Sequence, residues 1–229
     1  MTTLIDSMVE RAKADKKTIV LPEGHDNRIL AAAEETLKQG IANLVILGDA
    51  EEINAKGYNL EGAEIINPAT SDKVDEFASL LFELRKKKGM TEEEARELVT
   101  KDNIYFATMM VKTGQCDGLV GGASCATVKI LSPALKVLKT APGAPMVSSL
   151  FLMEVPNCDL GENGVFAFAD CALEIQPTAE KLAHIANLTN QSFKRLLGKE
   201  ARIALLSHSS HGSAKNDDAQ KVVDAMTYI

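Results

Sequence analysis

Short all-apolar runs alternate along the chain with longer stretches in which apolar residues recur every three or four positions. This is the pattern of parallel strands covered by helices. Thr18–Pro22 (TIVLP), Asn43–Leu47 (NLVIL) and Glu64–Asn67 read as strands. Between the first two, Ile29, Leu30, Ala33 and Leu37 share one helix face, with Asp26 as N-cap and Gly40 as stop. Helical spacing returns with Val74, Phe77, Ala78, Leu81 and Leu84, followed by Arg85-Lys86-Lys87-Lys88 and Gly89. Thr91-Glu92-Glu93-Glu94 fits a capping box, and Asn103–Thr113 forms a further helix that turns Ile104, Ala107, Met110 and Val111 inward.

The stretch Asp117–Val155 organises the rest. Leu119 and Val120 break at Gly121-Gly122, small and hydroxyl side chains follow at Ala123, Ser124, Ala126 and Thr127, and Leu131, Ala134, Leu135 and Leu138 then share a helix face. Strand, glycine break and helix start leave backbone N–H groups free at a strand's C-terminal edge, a place for an anion. The same pattern also serves tight strand-to-helix packing, and the glycine spacing and lysine of a nucleotide P-loop are missing. A Pro142-Gly143 turn leads to Met146–Met153, apolar enough for a buried strand. Val165–Phe168 and Arg202–Leu206 (RIALL) read as strands, and Thr178–Leu197 and Asp217–Ile229 as amphipathic helices. Ser207–Lys215, rich in hydroxyl and imidazole groups, is a second candidate anion loop, with a solvated loop carrying helix caps as the alternative.

Composition narrows the class. Hydrophobic residues make up 45% and charged residues 25%, the balance of a soluble globular protein. A net charge of −7 without a long basic run argues against nucleic acid as a partner. The N-terminus reads as an amphipathic start without a signal-peptide core, and no apolar run reaches the ~18 residues of a membrane span. Cys116, Cys125, Cys158 and Cys171 form no Cys-x-x-Cys pair and read as free thiols of a cytoplasmic protein. His208 and His211 lack acidic or Cys partners at ligand spacing, so no metal site is expected. The Arg85–Lys88 cluster complements a helix dipole, with Arg85 lying nearest the apolar face.

Seven collinear segments, IVLPEGHDNRILAAAEETLKQG, ELRKKKGMT, DGLVGGA, KTAPG, MVSSLFLMEVP, GENGVFAFAD and ALLSHSSHGSA, closely resemble the phosphate acetyltransferase family. The resemblance implies an α/β fold of mostly parallel sheet layered with helices, in the two-domain phosphate acyltransferase architecture similar to isocitrate and isopropylmalate dehydrogenases. Domain I would span residues 1–145 and an incomplete domain II residues 146–229, with the active site in the cleft between them. It implies transfer of an acetyl group between coenzyme A and inorganic phosphate, giving acetyl phosphate. It further implies acetyl-CoA or CoA and phosphate or acetyl phosphate as the partners, no separate cofactor or metal, and a homodimer. Two alternatives stand beside it: a phosphate butyryltransferase-like enzyme, and a non-catalytic CoA- or anion-binding or subunit-interaction remnant.

Position by position, Arg85 matches the family's functional arginine, whose guanidinium suits a phosphate or the CoA anion. Ser124, Thr127, Ser207, Ser209 and Ser213 are the hydroxyl candidates for substrate binding. Thr127 keeps the hydroxyl of a pair in which Ala126 has lost it. Cys125 stands where a histidine is usual, and Lys129 where an acid or amide is usual. Ser132 stands where the family carries a charged arginine, and losing such a charge-assisted bond costs roughly 1.5–3 kcal/mol. Lys129, one turn earlier, is the expected compensating cation. The family's C-terminal Ser-Arg pair and aspartate have no equivalent in residues 1–229, so the catalytic residues are unassigned and little or no turnover is expected.

Overall fold

The computed structural model describes residues 4–210 and 212–229. The chain divides into two compact units, Met1–Lys139 and Thr140–Ile229.

The first unit runs α1 (Leu4–Ala14), β1 (Thr18–Leu21), α2 (Asn27–Gln39), β2 (Asn43–Leu47), α3 (Ala50–Asn54), β3 (Glu64–Ile66), α4 (Val74–Arg85), α5 (Glu92–Lys101), α6 (Asn103–Lys112), β4 (Gly118–Leu119) and α7 (Thr127–Pro133). Its four strands lie in the order β3-β2-β1-β4, all parallel, with Val20 opposite Val45 on one side and Leu119 on the other. A parallel sheet covered on both faces needs strands that are apolar at every position. β2 meets that need: Leu44 and Ile46 pack with Leu30, Ala33 and Ile53, while Val45 and Leu47 face Phe77, Leu81, Val99 and Phe106. The Phe77 and Phe106 rings meet edge to face, with centroids 5.0 Å apart. Gly24 follows β1 so close to β2 that a Cβ there would sit 2.6 Å from the Leu47 carbonyl oxygen.

Local chemistry sets the helix ends. Asp26 accepts the Arg28 N–H at the start of α2, and Gly40 ends that helix in the left-handed region. After α4 a 3-10 turn at Lys86–Lys88 closes at Gly89. Thr91 and Glu94 then form the reciprocal capping box of α5. Asp102 caps α6 through the N–H groups of Ile104 and Tyr105. One departure from the predicted pattern lies after α7. The helix expected to continue to Leu138 becomes a π turn over Ala134–Leu138, closed by Lys139 N–H on the Ala134 carbonyl. Pro133 has no N–H to give the helical ladder, and the chain widens where that rung is missing.

The second unit holds β5 (Leu150–Glu154), α8 (Leu160–Asn163, a single irregular turn), β6 (Val165–Ala169), α9 (Ala179–Leu197) and α10 (Asp217–Ala225). β5 and β6 pair antiparallel, Leu152 opposite Ala167. Thr178 and Asn216 cap α9 and α10, and Gly198 ends α9. Two expectations are corrected. The buried strand predicted at Met146–Met153 starts only at Leu150 and leaves Phe151 and Met153 exposed. Its first residues are held elsewhere, because Ser148 and Ser149 bond to Asp170 in place of a strand ladder. Arg202–Leu206 forms no regular element and pairs with no strand among the described residues, leaving Ile203 46% and Leu206 78% exposed. An apolar run becomes a strand only where an edge is available to pair with it.

Candidate functional site

The glycine break after β4 does form an anion site, and its anion is built in. Glu23, only 3% exposed, sends its carboxylate into the Gly122–Ser124 loop. Oε2 accepts the N–H of Gly122 at 2.7 Å and of Ala123 at 2.9 Å, while Oε1 accepts the N–H and the hydroxyl of Ser124 at 2.8 and 2.7 Å. Gly122 reaches this geometry at φ 108°, where an L side chain is strained. Burial pushes the Glu23 carboxyl up, but the Ser124 hydroxyl and the three N–H groups outweigh it and hold the group at about 2. Ser124 Oγ also lies 3.0 Å from His25 Nε2. Since its one hydrogen goes to Glu23, the imidazole donates, which leaves Nδ1 with its lone pair in the neutral ring. Arg28 donates to Asp26 and to the Ala123 carbonyl at 2.5 Å, tying the loop to α2 from the other side.

A second feature of this unit is a cavity of about 640 Å³ between α4, α5, α6 and the π turn. Arg85, Lys88, Lys101 and Lys136 line it together with Tyr105, Met90 and three carboxylates. Arg85 Nε is buried without a hydrogen-bond partner among the described residues. A buried polar group without a partner costs about 1–3 kcal/mol. Arg85 therefore stands in a pocket rather than merely at a helix C-terminus.

The expected site residues do not all converge. Ser124, Thr127 and Lys129 are exposed around the start of α7, and Ser132 is half-buried within it. None of these four lines the Arg85 cavity. Ser207, Ser209 and Ser213 belong to the second unit. There Ser207 Oγ accepts the Ser209 N–H at 3.1 Å, Ser209 Oγ accepts the Ala214 N–H at 3.0 Å, and Ser213 N–H goes to the Ser210 carbonyl. His208 Nε2 lies 3.0 Å from Asn216 Nδ2, and His211 lies outside the described residues. Among the described residues no group of three or more His, Cys, Asp or Glu side chains is placed to hold a metal. No helix among them is long and apolar enough to cross a membrane.

Sequence reasoning missed three features. Glu23 carries no signal, because an acid does not advertise itself as the occupant of an anion nest. Lys136 carries none either, because an exposed lysine in a helical pattern reads as a solvated face. Asp170 follows the β6 strand and carries no local signal of its own. Burial pushes its carboxyl up, but the Ser149 hydroxyl and the N–H groups of Leu173, Ser149 and Ala172 hold it well below the usual carboxylate range. Its signal was the serine pair in MVSSLF, which supplies two hydroxyl donors next to a strand.

A doubly covered parallel sheet with a cationic cavity at its helical layer fits an enzyme that handles a phosphate-bearing substrate. Residues 3–229 match the family model described as phosphate acetyl/butaryl transferase, and the chain belongs to that family of transferases. Its relatives narrow the class. The phosphate acetyltransferase of Thermoanaerobacterium thermosaccharolyticum is 54% identical over 222 residues, covering 96% of this chain and 67% of the relative. That of Acetivibrio thermocellus is 48% identical, covering 97% and 68%. A solved phosphotransacetylase from Streptococcus pyogenes superposes with a TM-score of 0.88 at 35% identity, over 98% of this chain and 68% of that one. The EutD phosphotransacetylase from Staphylococcus aureus gives 0.85 at 34% identity, over 98% and 66%. The chain thus spans about two thirds of the length of these relatives, which are phosphate acetyltransferases, and butyryl transfer is not favoured.

Proposed function

We propose that the chain transfers an acetyl group between coenzyme A and inorganic phosphate and that the Arg85 cavity holds the phosphate groups of the coenzyme. The observation that carries this reading is the cavity, where Arg85 lies beside Lys88, Lys101 and Lys136, in a chain of the phosphate acetyl/butaryl transferase family. In the direction of acetyl-CoA synthesis, the coenzyme thiolate attacks the acetyl carbon of acetyl phosphate. The S–C bond forms, the C–O bond to phosphate breaks, and phosphate leaves with the electron pair. The reverse reaction uses a phosphate oxygen as nucleophile on the thioester.

Arg85 supports the reaction by binding, since its planar fork matches phosphate oxygens. Thr127, Lys129 and Ser132 at α7, and Ser207, Ser209 and Ser213 in the second unit, are the further substrate contacts of this reading. No cofactor beyond coenzyme A is part of it. A cytoplasmic homodimer fits the four free cysteines and the apolar side chains exposed on the second unit, Phe151, Leu160, Phe168, Ile175 and Leu206 among them.

The test is release of free thiol from acetyl-CoA by the purified chain, with and without phosphate. Phosphate-dependent release is the expected result. CoA binding without such release would instead make the chain a coenzyme-binding protein without turnover, and absence of both would overturn the reading.

A further inference from the structure

We propose that Lys136 is a phosphate-binding residue of the Arg85 cavity, meeting the coenzyme's phosphate groups together with Arg85. The proposal rests on the reading of that cavity as the coenzyme site.

The charge count of the cavity carries the argument. Its four cations, Arg85, Lys88, Lys101 and Lys136, outnumber its three carboxylates, and each carboxylate already has a donor. Glu94 accepts the Thr91 N–H at 2.9 Å in the capping box, Glu97 accepts Lys101 Nζ at 2.9 Å, and Asp102 accepts the Ile104 N–H at 2.9 Å as the cap of α6. Lys101 is neutralised by its pair with Glu97. The cations left without an ion-pair partner among the described residues are Arg85, Lys88 and Lys136. Lys136 Nζ meets only a neutral group, the Tyr105 hydroxyl at 3.5 Å, which orients the ammonium without cancelling its charge. Three cations without an ion-pair partner, against the two carboxylates Glu94 and Asp102 held only by neutral donors, leave a cavity of about 640 Å³ with a net positive lining that suits a phosphate-bearing ligand.

The backbone brings Lys136 there. Lys139 N–H closes a five-residue turn on the Ala134 carbonyl, so the residues after Pro133 do not follow the facing of a continuous α-helix. π turns of this kind occur frequently at functional sites. Lys129, on the turn before Ser132, does not line the cavity, whereas Lys136, on the turn after it, does.

The experiment titrates coenzyme A into the full 229-residue chain and into its Lys136→Gln, Lys136→Arg and Arg85→Ala variants, at several salt concentrations. Lys136 is exposed, so these substitutions leave the core intact, and circular dichroism checks that they do. Lys136→Gln is expected to weaken coenzyme binding about tenfold and to flatten its salt dependence, while Lys136→Arg retains wild-type affinity to within about twofold. Wild-type affinity and salt dependence in Lys136→Gln, with affinity lost in Arg85→Ala, would overturn this proposal and leave the coenzyme reading standing. Unchanged affinity in both Lys136→Gln and Arg85→Ala, or no coenzyme binding by the wild-type chain, would overturn that reading and the proposal with it.

Discussion

The carboxylate of Glu23 accepts the backbone N–H of Gly122 at 2.7 Å, joining the end of β1 to a loop 99 residues further along the chain. With Ala123 and Ser124 completing the set, this one side chain fixes the loop that leads into α7. Glutamine at position 23 offers a single acceptor oxygen and turns an NH₂ toward backbone donors. Glu23→Gln should therefore cost about 2–4 kcal/mol, read as a lower midpoint in urea or thermal unfolding. A variant as stable as wild type would contradict the role given to Glu23.

The same contact sets an acid dependence. The Glu23 carboxyl is held at about 2 from an ordinary value of 4.5, which corresponds to about 3 kcal/mol of preference for the ionised, bonded form. A folded-state value below the unfolded one means that the unfolded chain binds the extra proton. This stabilisation is present above pH ~4.5 and is lost as pH falls from there toward ~2. Stability measured between pH 6 and 2 should fall less steeply in Glu23→Gln than in wild type, and parallel curves would refute the assignment.

Asp170 plays the matching part in the second unit, where it accepts from Ser148, Ser149, Ala172 and Leu173. Asp170→Asn should destabilise this unit by about 2–3 kcal/mol while leaving the parallel sheet of the first unit protected. Hydrogen exchange resolves the two, with faster exchange expected over residues 148–173 and unchanged exchange over β1 and β2. Equal loosening of both units would contradict it.

The cysteines should separate by reactivity. Cys116 is buried, and burial, followed by the charges of Glu64 and Asp117, pushes its thiol up to about 11. At pH 8 a thiol-specific reagent should leave Cys116 unmodified in the folded chain and reach it only on unfolding. Mass spectrometry of the labelled peptides checks this, and early labelling of Cys116 would contradict its placement in the core.

The parallel unit was legible in the sequence because its signals are local. NLVIL reads as a strand buried on both faces, Asp26 and Gly40 as a cap and a stop, and Thr91-x-x-Glu94 as a capping box, and each stands as read. RIALL carries an equally strong local signal and is not a strand, because pairing depends on a partner edge that the segment does not encode. The glycine loop left two readings open, an anion cradle or tight strand-to-helix packing, and a pattern of N–H donors cannot say whether an anion there is a ligand or a distant glutamate. Arg85 was legible from its place beside the apolar face of α4. Lys136 was not, since its presence in the cavity depends on a π turn that follows from one missing N–H at Pro133.

The central claim is that the Arg85 cavity holds the coenzyme. It is tested most directly by calorimetric titration of coenzyme A into the wild-type chain and into Arg85→Ala at one salt concentration. The account predicts measurable binding by wild type and an affinity about ten- to a hundred-fold lower in the variant, the loss of a charge-assisted bond to phosphate. Equal affinity in the two proteins would contradict it.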